Sequence, residues 1–220
     1  MRRFIRENAL SLVLFGLFLA SAVGQALTGW HANLEELRQH AEPAIAFTDY
    51  LRSGHYLSAV FENWESEFLQ MGAYVLLTVF LRQKGSPESK KLEGDEEEDA
   101  DPREARFDPA APWPVRRGGA ILWLYSNSLC IALFSLFLVS FGLHAVGSTM
   151  LANEQAAWHE QPSQTVFEHL EEADFWYESF QNWQSEFLSM GVLIVLGIFL
   201  RQKGSPESKS VAAPHHQTGR

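Results

Sequence analysis

Cysteine is almost missing from this 220-residue chain: Cys130 stands alone, which excludes an intramolecular disulfide. It lies inside an apolar run and is expected to pack as a small hydrophobe. Phosphate loops, nucleophile elbows, paired-cysteine motifs and dinucleotide fingerprints are all absent, so neither enzyme activity nor a cofactor is expected. An excess of positive charge is lacking too, and a net charge of −10 argues against nucleic acid as a partner. The most informative scarcity is local. Only Arg38 and Arg52 fall within residues 30–62 and 149–181, whereas the other 15 lysines and arginines lie before residue 7, between 82 and 118, or after 200.

What the chain does contain is itself, twice. Phe61 to Lys90 returns as Phe180 to Lys209 with 21 of 30 residues identical, at a constant offset of 119. The same offset aligns Asn8-Ala-Leu-Ser-Leu-Val-Leu-Phe with Asn127-Ser-Leu-Cys-Ile-Ala-Leu-Phe, so the repeated unit is a whole half of the protein. Residues 31–60 and 150–179, in between, share only four positions, as expected of a tolerant loop joining two constrained ends.

Each unit carries two apolar segments. Ala9 to Leu27 has only Ser11, Ser21 and Gln25 as polar side chains in 19 residues, close to the roughly 20 that cross a bilayer core as a helix. Its copy covers 127–146. The second segments, Phe68–Leu81 and Phe187–Leu200, are shorter and reach spanning length only when extended back through Asn-Trp-Glu/Gln-Ser-Glu, giving spans at 63–82 and 182–201. The basic opening Met-Arg-Arg-Phe-Ile-Arg followed by Ala20-Ser21-Ala22 has the form of a secretory signal, but its copy sits mid-chain where no such signal acts. A retained helix is therefore expected. With 15 basic residues against two, the positive-inside rule places both termini and the central linker in the cytoplasm, and it gives both units the same orientation.

The fold expected is thus all-α and integral to the membrane: a two-helix repeat over 1–90, an acidic disordered linker over 91–118, a second repeat over 119–209 and a disordered tail over 210–220. The linker reading rests on Glu93, Asp95, Glu96, Glu97, Glu98, Asp99 and Asp101 followed by four prolines. Both short spans end in Arg-Gln-Lys-Gly-Ser-Pro-Glu-Ser-Lys, in which basic residues, glycine and then proline make a helix stop at Arg82 and Arg201. Gly16, Ala20 and Gly24 form a small-residue face, and Gly72 and Gly191 are further close-packing positions. Trp30, Trp64 and Trp183 are expected to anchor the outer interface.

The carboxylates are out of place. Glu67 lies 15 residues before Arg82, roughly 22 Å up a helix that crosses a core about 30 Å thick, and Glu186 repeats this before Arg201. An acid at that depth must be paired, neutralised or functional. Gln25, Asn63, Ser66, Glu67, His144, Asn182, Ser185 and Glu186 are therefore the candidate intramembrane polar cluster. Interhelical hydrogen bonds of ~1 kcal/mol each would make it structural. A carboxylate pair beside a histidine would instead suit proton relay or cation binding.

The words Phe-Glu-Asn-Trp-Glu-Ser-Glu-Phe-Leu-Gln-Met-Gly, the shared helix stop and the opening Met-Arg-Arg-Phe-Ile-Arg-Glu-Asn resemble a bacterial family of uncharacterised integral membrane proteins, the domain of unknown function numbered 6766. The resemblance covers both halves and implies a helical fold in the bacterial inner membrane, with no activity or ligand to carry over. The expected role is structural or interaction-based, with the lipid bilayer and a homo-oligomeric or membrane-protein contact as partners. The alternative is a small proton- or cation-linked transporter using Glu67 and Glu186. A second alternative is extracytoplasmic metal binding by His31, His40, His55, His159 and His169 with loop acids; these lack tight ligand spacing, so no metal ligand is assigned.

Overall fold

A computed structural model describes residues 2–94 and 96–219; Met1 of the basic opening, Asp95 of the acidic run and Arg220 lie outside the described residues. The described chain is helical, with no strand among its residues. In order come α1 (Arg2–Glu7), α2 (Ala9–Gln39), α3 (Phe47–Tyr50), α4 (Gly54–Phe80), α5 (Trp113–Arg117), α6 (Gly119–Ser126), α7 (Ser128–Trp158), α8 (Val166–His169) and α9 (Ala173–Phe199). Every boundary of α2, α3 and α4 recurs 119 residues later in α7, α8 and α9. The helices also outrun the expected spans at one end: α2 continues from Leu27 to Gln39, and α4 starts at Gly54 rather than residue 63. The α2 extension persists because Asn33 and Leu37 bury one face of a stretch that contains no proline.

Three helices, α2, α7 and α9, are long and apolar enough to cross a membrane. Among the described residues α4 falls short of that description. It has the length, but Glu62, Glu65 and Glu67 crowd its first half and Gln70 follows.

The chain divides into two compact units. The first comprises residues through Phe61 with Gly142–Phe175. Its helices approach closely at glycines: a Cβ on Gly147 would stand 2.5 Å from the Ser58 backbone nitrogen, and one on Gly54 would stand 2.3 Å from that of Leu151. Only hydrogen fits there. Helices α2 and α7 end in the same way. Ala41 (φ 59°) and Glu160 (φ 55°) occupy the left-handed region, and the next amides, of Glu42 and Gln161, donate to Leu37 and Ala156 carbonyls at 2.9 Å. This is the Schellman closure, made here without glycine.

The second unit comprises Glu62–Phe141 with Trp176–Gly219 among the described residues. Gly72 lets α7 pack against α4, its absent side chain facing the Phe134 ring at 3.3 Å. The two helix-stop words fold into one hydrogen-bonded turn. Gln83 and Gln202 amides donate to Ser89 and Ser208 Oγ at 2.9 and 3.0 Å, Glu88 and Glu207 amides to Ser86 and Ser205 Oγ at 3.1 Å, and Gly85 and Gly204 take φ of 86° and 87°. Among the described residues, only the first turn is covered by the tail. Lys209 Nζ, buried, donates to the carbonyls of Gly85 (2.6 Å), His215 (2.9 Å), Gln217 (3.2 Å) and Pro214 (3.3 Å), while the Gly85 amide donates to Thr218 Oγ1 at 2.7 Å. Burial, then the Arg201 charge, hold the Lys209 ammonium below the usual lysine range. Residues 210–219, expected as a disordered tail, are thus placed by carbonyls that no local pattern reveals. In the linker, also expected to be disordered, short 3-10 turns form at Glu97–Asp99 and Pro102–Ala105, and Lys90 pairs with Asp99.

Candidate functional site

The acid that the second unit buries is Glu65, which is fully inaccessible. It lies on one stripe of α4 with Glu62, Ser66 and Gln70, spaced three and four residues apart. Opposite, α9 presents Glu178, Ser179, Asn182 and Trp183 at the same spacing. Ser179 Oγ donates to Glu65 Oε1 at 3.0 Å and Trp183 Nε1 donates to the same oxygen at 3.2 Å. One turn away the Asn182 amide donates to Glu62 Oε1. Glu62 and Glu178 bring carboxylate oxygens within 4.8 Å of each other. Around this network Trp176, Phe180 and Trp183 stack edge-on or tilted, with Phe137 and Phe141 of α7 beside them at 6.2 and 6.1 Å. A buried carboxylate is tolerated where charge-assisted donors meet it, and here an indole and a hydroxyl do so.

The expected cluster is distributed differently. Ser66 is buried and donates to the Asn63 carbonyl at 2.8 Å, and Asn182 is half-buried on Glu62. Asn63, Glu67 and Ser185 are exposed, and Glu186 is half-buried within electrostatic reach of Glu67. Gln25 and His144 belong to the first unit: Gln25 is exposed on α2, while His144 is fully buried and stacks on Phe175 at 4.9 Å. Of the packing positions, Gly72 is in close contact, whereas a Cβ on Gly16, Gly24 or Gly191 would meet nothing within 4 Å, and Ala20 is exposed. Trp30 is half-buried and donates to the Ile45 carbonyl at 3.1 Å, Trp64 is exposed, and Trp183 serves Glu65. Arg82 and Arg201 each turn back to cap their own helix, reaching the Val79 and Ile198 carbonyls at 3.1 and 3.2 Å.

Glu62, Glu65, Glu178 and Ser179 escaped the reading of the sequence because it favoured acids shared by both copies. The signal was in the differences. Glu62 and Glu65 stand where the second copy has Gln181 and Gln184, so one repeat supplies carboxylates at positions where the other carries amides.

In the first unit, Ser148 Oγ lies 2.8 Å from His169 Nε2, and His169 Nδ1 lies 3.0 Å from Glu172 Oε2. With the proton on Nδ1 the ring donates to Glu172 and accepts from Ser148. Both Ser148 and His169 are buried, so the chain of bonds fastens α8 to α7. Next to it an open cleft of about 930 Å³ is lined by Glu36, His40, Trp158, His159, Glu168 and Glu172. His40 lies flat on Trp158 at 4.0 Å, and His55 Nδ1 meets the Tyr50 hydroxyl at 3.2 Å. Backbone and hydroxyl donation from Thr165 holds the Glu168 carboxyl below its usual range. Among the described residues, no three of these outer histidines and acids converge closely enough to hold an ion.

No curated protein and no solved structure is significantly similar to this chain. The profile of one family matches it over residues 1–220, from the first apolar helix through the docked tail. The chain therefore belongs to the family described as Domain of unknown function (DUF6766).

Proposed function

We propose that this protein crosses the bacterial inner membrane four times, as two tandem two-helix repeats in parallel orientation, and that its role there is structural, as a rigid subunit for homo-oligomeric or other membrane-protein contacts. The distribution of basic residues supports a cytoplasmic location for both termini and the linker. The recurrence of helix boundaries at an offset of 119 supports the duplication, and it makes α4 the counterpart of the apolar α9. One observation carries the structural role. Glu65 of the first repeat is tied by Ser179 and Trp183 of the second, so the acid serves as a fixed acceptor between repeats. Neither a catalytic step nor a cofactor is part of this reading.

A second reading has its own observation, since the proximity of Glu62 to Glu178 would suit a shared proton or a bound cation. One experiment separates the two. In proteoliposomes with an imposed pH gradient, the structural reading expects no flux above protein-free vesicles. It also expects Glu65→Ala, which strands the buried Ser179 hydroxyl and the half-buried Trp183 indole at a cost of about 2 kcal/mol, to lower membrane abundance and thermal stability. Flux in the parent protein that disappears in Glu62→Gln and Glu178→Gln would replace the structural role with transport.

A further inference from the structure

A small cavity of about 260 Å³ opens beside the first helix-stop turn. Leu77, Leu81 and Ile194 supply its apolar lining, and Arg82 and Glu88 its charged lining, beside Thr78, Gln83, Ser86 and Ser89. Tyr74 also lines it, and the Tyr74 hydroxyl is buried with no hydrogen-bond partner among the described residues. Nothing in the fold requires a hydroxyl there. The same position in the second repeat is Leu193, beneath a turn of the same sequence and the same hydrogen bonds. A buried hydroxyl without an acceptor is destabilising, so its presence asks for an acceptor from outside the chain.

Geometry and charge narrow what that acceptor belongs to. On the four-span reading, on which this inference rests, Arg82 marks the cytoplasmic edge of the bilayer, and the cavity opens where headgroup gives way to hydrocarbon. The carboxylates of Glu88 and Glu207 both lie within electrostatic reach of the Tyr74 hydroxyl, and Glu88 lines the cavity with it. A guanidinium and a carboxylate lining one small cavity match a headgroup that carries both a phosphate and an ammonium. We propose that this cavity is a binding site for one inner-leaflet phospholipid of the ethanolamine type: phosphate on Arg82, ammonium on Glu88, an ester carbonyl accepting from Tyr74, and the start of an acyl chain against Leu77, Leu81 and Ile194. A purely anionic headgroup would meet Glu88 unfavourably. The second repeat, with Leu193, lacks the donor and binds no lipid in this way.

The test uses the full chain extracted in mild detergent and followed by native mass spectrometry after titration with palmitoyl-oleoyl phosphatidylethanolamine, and separately with the glycerol and choline analogues. One ethanolamine lipid per chain is expected to be retained, with Tyr74→Phe and Arg82→Gln each weakening retention about five-fold, the loss of one hydrogen bond. Leu193→Phe, at the matching position, is expected to change nothing. The melting temperature gives an independent sign. Tyr74→Phe raises it in lipid-free detergent, where the hydroxyl is an orphan, and lowers it relative to the parent when the ethanolamine lipid is supplied. Equal retention by the parent and Tyr74→Phe, or equal retention of all three lipids, overturns the proposal and leaves the four-span reading intact. Release of the chain from membranes by alkaline carbonate would overturn both.

Discussion

At the ends of α4 and α9 the two halves fold alike because they are spelt alike; at the ends of α2 and α7 they fold alike although spelt differently. Arg82–Lys90 and Arg201–Lys209 are the same nine residues and make the same turn, held by the same pair of serine bonds. The outer loops share four positions in thirty, yet Ala41 and Glu160 both adopt the left-handed closure, and α3 and α8 begin and end at matching positions. Where chemistry has changed, it has changed in compensating pairs. Gly29 leaves room for the buried Tyr50 hydroxyl, and a Cβ there would sit 2.2 Å from it. At the matching positions Ser148 reaches His169 through a hydrogen bond, the smaller ring met by the larger partner. Backbone geometry in this loop is therefore held by packing of side-chain pairs, and pairs can be exchanged more readily than single residues.

The largest break in this equivalence is expected at Gly147. Its Cβ would intrude on the Ser58 amide and lie 2.8 Å from the Leu57 Cβ, so Gly147→Ala is expected to cost about 2–3 kcal/mol, read as a fall in detergent melting temperature. The same alanine at Thr28, the matching and exposed position in α2, should stay within about 0.5 kcal/mol. Next comes the exchange of pairs. Gly29→Ser and Tyr50→His should each destabilise, one by collision and one by a cavity, while the double variant recovers about 1–2 kcal/mol of the summed loss. Strict additivity in that cycle would show that the two positions do not compensate each other.

The smallest effect concerns Glu154, beyond the apolar part of α7. Burial, reinforced by the charges of Glu36 and Glu42 and opposed by His55, holds its carboxyl above the ordinary range. A raised carboxyl pKa means that the folded state binds its proton more tightly than the unfolded one, so stability falls as pH climbs from the usual glutamate value through the raised one. Glu154→Gln should therefore stabilise at neutral pH by less than about 1 kcal/mol, since the group is partly exposed, and the gain should vanish at acid pH. Melting curves for both proteins across that window would cross-check the sign. A gain unchanged in acid would assign the effect to packing instead.

Much of the fold could be read from the sequence. Apolar runs located α2, α7 and α9, the glycine-proline stop located the ends of α4 and α9 to within two residues, and the constant offset anticipated matching elements. The outer helical extensions were not legible, because residues 28–39 pair their buried face with loop residues whose identity differs in each copy. The polar site was legible only in part. Depth drew attention to the stretch of α4 that contains Glu65, but Glu65 and Glu67 are two residues apart and face different ways, and choosing between them needs the facing helix. Symmetry favoured Glu67, which both copies have, whereas burial selects Glu65, which the second copy replaces with Gln184.

The cover over the first helix-stop turn has a consequence for the order of events during synthesis. The bond from Lys209 to the Gly85 carbonyl joins residues 124 apart, and Thr218 closes on the Gly85 amide across 133. When α4 leaves the ribosome its final turn can form from its own serines, but the Gly85 carbonyl and amide have neither Lys209 nor Thr218 to meet yet. The first half is therefore made with that end open, and residues translated only after α9 are the ones that lock it.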